Sequence, residues 1–155
     1  METAVLNPPS ATPLLTAPPA AGPGPVLLTC ALCQDELRSA RTGRLTVCDL
    51  AYVWPAATLP LRIDLDVVSL WWIRSCTKPY HFMTRLRDLD GGVLDLVESE
   101  LAFETPSVHE HMAHFAALEF KTPGIYRVEV LVDDDLVGTY PLFVQVAETN
   151  RPEAG

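Results

Sequence analysis

Along the middle of the chain the hydrophobic period is two. Leu61, Ile63, Leu65 and Val67 alternate with Arg62, Asp64 and Asp66, which puts aliphatic groups on one face of a strand and charge on the other. Phe82, Thr84 and Leu86 alternate in the same way with Met83, Arg85 and Arg87. Tyr126, Val128, Val130 and Val132 alternate with Ile125, Arg127, Glu129 and Leu131, and Tyr140, Leu142, Val144 and Val146 with Pro141, Phe143 and Gln145. Two shorter candidates precede them, over 26–33 and 44–54. The segments 93–103 and 109–120 also fit helical spacing, the second with Pro106 and Ser107 as a start signal. Their neighbours are strands at hairpin distances, so both are assigned to strands.

The punctuation agrees. Asp90-Gly91-Gly92 offers the positive φ angles of a tight hairpin, Asp133-Asp134-Asp135 a polar turn between the last two strands, and Thr42-Gly43 and Pro123-Gly124 turns that open strands. Pro141 cannot donate to a ladder and belongs at an edge or a bulge. Seven or eight short strands with such turns make an all-β chain, an antiparallel β-sandwich. Seven of the 14 prolines fall in residues 1–25, where they block both helix and ladder. The expected organisation is a disordered Pro/Ala-rich tail over 1–25, a sandwich domain over 26–147 and a frayed end over 148–155.

Two resemblances sharpen this. Pro123-Gly124-Ile125-Tyr126 resembles the tyrosine-corner region of immunoglobulin-like sandwiches, although the paired cysteines of that fold are missing. Thr42-Gly43-Arg44-Leu45-Thr46-Val47, Asp88-Leu89-Asp90-Gly91, Phe120-Lys121-Thr122-Pro123-Gly124-Ile125-Tyr126 and Pro141-Leu142-Phe143-Val144 together resemble a family of small bacterial immunoglobulin-like β-sandwich proteins known only as a domain of unknown function. The resemblance covers roughly 27–147. It implies a bacterial origin and a sandwich fold, and it brings no catalytic residues with it.

Charge narrows the partners. The chain carries 11 basic and 20 acidic residues, net −9, with the negative excess concentrated after residue 92. No basic stripe is present to neutralise phosphates, so a nucleic-acid partner is not expected. No run approaches the length of a membrane span. The start lacks a basic n-region, and prolines interrupt any signal core. The expected location is a reducing cytoplasm, with Cys30, Cys33, Cys48 and Cys76 as thiols.

The candidate chemistry is sparse. Cys30-x-x-Cys33 has metal or redox spacing, but Cys48 and Cys76 form no second close pair. The most suggestive cluster is His109-Glu110-His111-Met112-Ala113-His114. As a strand it puts His109 and His111 on one face as candidate metal ligands, with Glu110 or a distant carboxylate as a third, and His114 on the other face. It is not H-E-x-x-H. Asp88-x-Asp90-Gly91 begins like a calcium loop, yet its glycine comes early and its twelfth position is Ser99. There is no G-x-S-x-G elbow and no Gly-rich phosphate loop, and Glu98 and Glu100 merely share a strand face. Trp71-Trp72 places two rings on opposite faces, one for the core and one free to anchor a partner. The expected function is therefore a non-catalytic interaction module binding another protein or itself, without cofactor. Its alternative is a metal-binding protein using His109 and His111.

Overall fold

The computed structural model describes residues 24–147. The tail up to Pro23 and the end from Glu148 lie outside the described residues. Nine strands follow one another without a helix: β1 (Val26–Arg38), β2 (Leu45–Leu50), β3 (Val53–Ala56), β4 (Leu61–Ile73), β5 (Tyr80–Arg87), β6 (Val93–Leu101), β7 (Ser107–Phe120), β8 (Gly124–Val132) and β9 (Asp135–Val146). They form a four-stranded sheet in the order β2-β1-β4-β7 and a five-stranded sheet in the order β3-β9-β8-β5-β6, the latter curled into a half-barrel.

Two expectations need correction. The strand count is nine among the described residues, not seven or eight, because the segment expected as one strand over 44–54 is split. The chain leaves the first sheet after Leu50 and enters the second at Val53. Ala51 donates its N–H to the Leu32 carbonyl in one sheet, and the Tyr52 carbonyl accepts from Phe143 N–H in the other. The sheets are also not wholly antiparallel: β3 runs parallel to β9, with Val53 opposite Phe143 and Ala56 opposite Val146. Both segments that also fitted helical spacing are strands, β6 and β7.

The alternation read from sequence becomes burial. Tyr80, Phe82, Thr84 and Leu86 of β5 are buried while His81, Met83, Arg85 and Arg87 are half-buried on the opposite face. In β4, Ile63, Leu65, Val67, Trp71 and Ile73 face inward. Against them lie Val128, Val130, Leu142 and Val144 of the second sheet, in one continuous core. Burial of such aliphatic and aromatic side chains contributes about 1.5–3 kcal/mol each.

The centre of that core is Trp71, fully buried, whose ring meets Phe82 of the other sheet edge-on at 5.1 Å. An indole N–H in so dry a place needs a partner. Trp71 Nε1 donates to Ser69 Oγ at 2.8 Å, and Ser69 donates in turn to the His111 carbonyl at 3.2 Å. The relay links β4 to β7 through side chains as well as through the ladder.

Local departures have local causes. Ala116 and Ala117 together oppose Asp64, a bulge in β7. Ala117 takes a left-handed φ of 52° there and donates its N–H to Asp64 Oδ1 at 2.7 Å. In the β8–β9 turn Asp133 and Asp134 have φ of 48° and 67°, the left-handed pair of a hairpin turn. Pro141 lies on β9, an inner strand. Its nitrogen points the same way as that of Phe143, toward β3, which begins only opposite Phe143; the missing N–H therefore faces a locally open edge. Tyr126 closes the Pro123-Gly124 corner by donating its hydroxyl to the Thr122 carbonyl at 2.6 Å.

Ser69→Ala leaves the Trp71 N–H unpaired in the core, which costs about 1–3 kcal/mol. Urea denaturation is expected to show a lower midpoint with an unchanged slope.

Candidate interaction surface

The outward face of the four-stranded sheet is built by register. Across β1, β4 and β7, Val26, Trp72 and Val108 form one row. Thr29, Leu70 and Glu110 form the next, and Ala31, Val68 and Met112 the third. Trp72 is 48% exposed, one position from fully buried Trp71. Leu28, Val108 and Met112 are exposed beside it. Period two forces this split: a tryptophan pair on a straight strand cannot share a face. Arg74 lies 5.8 Å over the Trp72 ring and also donates to the Gly24 carbonyl, from Nη2 at 3.1 Å, so it ties the start of the described chain to the tryptophan.

At the other end of this face the β1–β2 ribbon takes part. Arg38 pairs with Glu110, and its Nη1 donates to the Gly43 carbonyl at 2.9 Å. Along β1, Arg38 stands nine positions beyond Thr29, which shares a row with Glu110. At roughly 3.3 Å per residue a straight strand would hold the two far apart. The ribbon therefore leans back across the sheet, and the burial of outward-facing Cys33 and Val68 follows from that cover. What stays open is the end around Trp72, Val108 and Leu28.

The histidine cluster divides as its strand reading requires. His109 and His111 face inward, whereas Glu110 points outward to Arg38, and His114 Nδ1 meets Asp66 Oδ1 at 2.6 Å on the outer face. The structure thus does not bring Glu110 together with His109 and His111. His111 is buried, stacked on Phe82 at 5.4 Å, with Nε2 2.8 Å from Ser99 Oγ on β6. His109 packs edge-on against Phe103 at 5.0 Å. Burial lowers the pKa of His111, and neighbouring His109 lowers it further. Burial lowers that of His109 too, against the opposing pull of Glu110. Among the described residues no three His, Cys, Asp or Glu side chains gather in a way that could hold a metal ion.

The remaining candidates are dispersed. Cys30 faces inward and Cys33 outward, as expected of a straight strand. Burial, opposed by a hydrogen bond from Tyr140, pushes the Cys30 thiol up to about 12, which makes it a poor nucleophile. Cys76 is half-buried, and the side chain of Cys48 lies outside the described set. Asp88 accepts the N–H groups of Asp90 at 3.0 Å and Gly92 at 2.7 Å, so one oxygen is committed to the turn. It borders a groove of about 350 Å³ whose walls include Leu89, Leu94, Glu119 and Tyr126. Glu98 and Glu100 are exposed on edge strand β6, away from that groove. Asp133 is anchored by His81 N–H at 2.9 Å and Lys78 Nζ at 2.7 Å; these bonds hold its carboxyl below the usual range. No helix among the described residues is long and apolar enough to cross a membrane.

Sequence reasoning passed over the Ser69 relay and the Arg38–Glu110 pair. The relay had a signal, a serine two positions before a tryptophan and so on its face. The ion pair had none, since its partners lie 72 positions apart.

The family model DUF6941, described as a family of unknown function, matches residues 28–145. No curated protein matches the chain.

The inward-facing His109 and His111, both with lowered pKa, are expected to make this fold acid-sensitive. An unfolded histidine titrates near about 6.5, and both folded values lie lower, so the unfolded chain takes up protons first as pH falls. The stability they contribute is complete above that pH and drains away as pH drops through it toward the folded values. Thermal melts from pH 8 to 5 are expected to show a falling Tm over the lower part of this range. His111→Asn flattens that slope, because one of the two titrating groups is gone.

Proposed function

The chain belongs to the DUF6941 family, and on that premise we propose that it is a non-catalytic, immunoglobulin-like interaction module that binds through the Trp72 end of its four-stranded sheet. The tyrosine corner at Tyr126 supports the immunoglobulin-like reading, as does the way the last strand collects β8 on one side and a parallel early strand on the other. The observation that carries the binding reading is Trp72. A half-exposed tryptophan amid exposed Val108, Leu28 and Met112 is the composition of an interface centre, not of an ordinary solvated strand face.

The occupant with most support is a second copy. The open part of this face is apolar around Trp72, Val108 and Leu28, whereas Glu110, opposite Leu70, is already paired with Arg38 and Asp66 with His114. A two-fold axis near Trp72 sets the apolar patch of one copy against the same patch of its mate. Metal binding by His109 and His111 has less support: the two rings share a face, but the nearest carboxylate in sequence, Glu110, points away from them. The thiols of Cys30 and Cys76 support a reducing, cytoplasmic setting for the module.

Sedimentation equilibrium across a wide concentration range tests this. The wild type is expected to dimerise, and Trp72→Ala is expected to weaken the dimer by about 2 kcal/mol or more, roughly 30-fold. The monomer's own stability should change by no more than about 0.5 kcal/mol. A chain that stays monomeric at millimolar concentration would refute self-association.

A further inference from the structure

The outer face of the five-stranded sheet holds a charge arrangement unlike the rest of the protein. In a chain of net charge −9, two arginines meet there on one carboxylate and a third stands opposite one of them. Arg85 stands directly opposite Glu129, and Arg87 directly opposite Arg127. Both Arg85 Nε and Arg87 Nε donate to the same oxygen, Glu129 Oε2, the second at 2.8 Å. Glu129 is only 7% exposed. Arg87 Nη1 also donates to the Gly91 carbonyl at 2.7 Å. Arg127 reaches the same place, its Nη2 about 4.0 Å from where a Cβ on Gly91 would stand.

Like charges directly opposite on adjacent strands destabilise a sheet. Here one carboxylate pairs with two guanidiniums and the third, Arg127, stands opposite Arg87 without one, so the three arginines and Glu129 keep a surplus of two positive charges. Asp88, the nearest acid in the chain, has an oxygen committed to the turn amides. Among the described residues the Arg127 side chain makes no hydrogen bond. The Nη groups of Arg85 and Nη2 of Arg87 likewise remain available. Glu129 thus acts as a clamp: it fixes two guanidiniums by Nε and turns their remaining donors toward a third on the next strand.

The geometry points to a binding site for a phosphomonoester dianion on this face, formed by Arg85, Arg87 and Arg127 with Glu129 as the positioning residue. The ligand's charge of about −1.5 to −2 near neutral pH matches the surplus. The guanidinium forks suit its oxygens, and the exposed apolar neighbours Val93 and Leu96 leave room for the group that carries the phosphate. This site lies on the sheet opposite Trp72 and does not depend on self-association.

The test is a proton–nitrogen NMR titration of the full chain with inorganic phosphate, with ionic strength held constant by sodium chloride. Saturable shifts confined to the Nε–H signals of Arg85 and Arg87 and to the amides around Gly91 and Arg127 support the site. Arg127→Gln, a change at an exposed position, is expected to weaken binding about tenfold, the loss of one charge-assisted hydrogen bond. Glu129→Gln reads the clamp: affinity falls while the spectrum stays dispersed. Shifts that never saturate, or an Arg127→Gln variant that titrates like the wild type, overturn the proposal. Equal saturation by acetate overturns the phosphate assignment.

Discussion

The register of β4 is the constraint on which the rest of the molecule hangs. This strand pairs with β1 on one side and β7 on the other, and Trp71 allows it only one setting. A slip of a single position would exchange Trp71 for Trp72 in the core and carry Arg62, Asp64 and Asp66 inward with it. Burying those charges unpaired would cost far more than the slip could return. Once β4 is fixed, the outward row of Trp72, Leu70 and Val68 is fixed too. So are the partners it meets on β1 and β7, and the inward placement of His109 and His111.

The core is held by more than apolar contact. Trp71, Ser69 and the His111 backbone form one polar thread through the first sheet, and the His111 side chain reaches Ser99 at the seam with the second. Trp71, Ser69 and His111 are buried and Ser99 half-buried, so loss of one link leaves the next unsatisfied. This couples the two sheets at the side where edge strands β6 and β7 approach, and it explains why neutral imidazoles suit the position.

Much of the fold was legible in the sequence, and the reason is parity. Alternation alone placed β4, β5, β8 and β9, and it placed the two tryptophans on opposite faces. It did not settle β6 and β7, where helical spacing competed; their assignment rested on neighbouring strands at hairpin distances. Alternation says nothing about which strand lies beside which, so the break between β2 and β3 and the parallel pairing with β9 stayed hidden. Of the site, the placement of Trp71 and Trp72 on opposite faces and the split of His109 and His111 from His114 could be read directly, whereas which tryptophan is exposed came from the structure. The direction of Glu110 followed from the same parity, whereas its partner Arg38 depends on the lean of a ribbon that no local pattern encodes. The Arg85 and Arg87 pair was visible as alternate charges, but their convergence on Glu129 required the pairing of β5 with β8.

The parallel edge has a consequence for how the protein is made. Val53 pairs with Phe143, 90 positions later in the chain. At ribosomal speeds of about 5–20 residues per second, the early strand waits on the order of 5–20 s for its mate. During that interval the nascent chain carries an unsatisfied β edge and half of an apolar interior, the state in which newly made β proteins stick to their neighbours. The final stretch of β9 therefore works as a latch. Until it leaves the ribosome β3 has no partner, and truncation of only the last few residues of that strand would remove the mates of Trp54, Pro55 and Ala56.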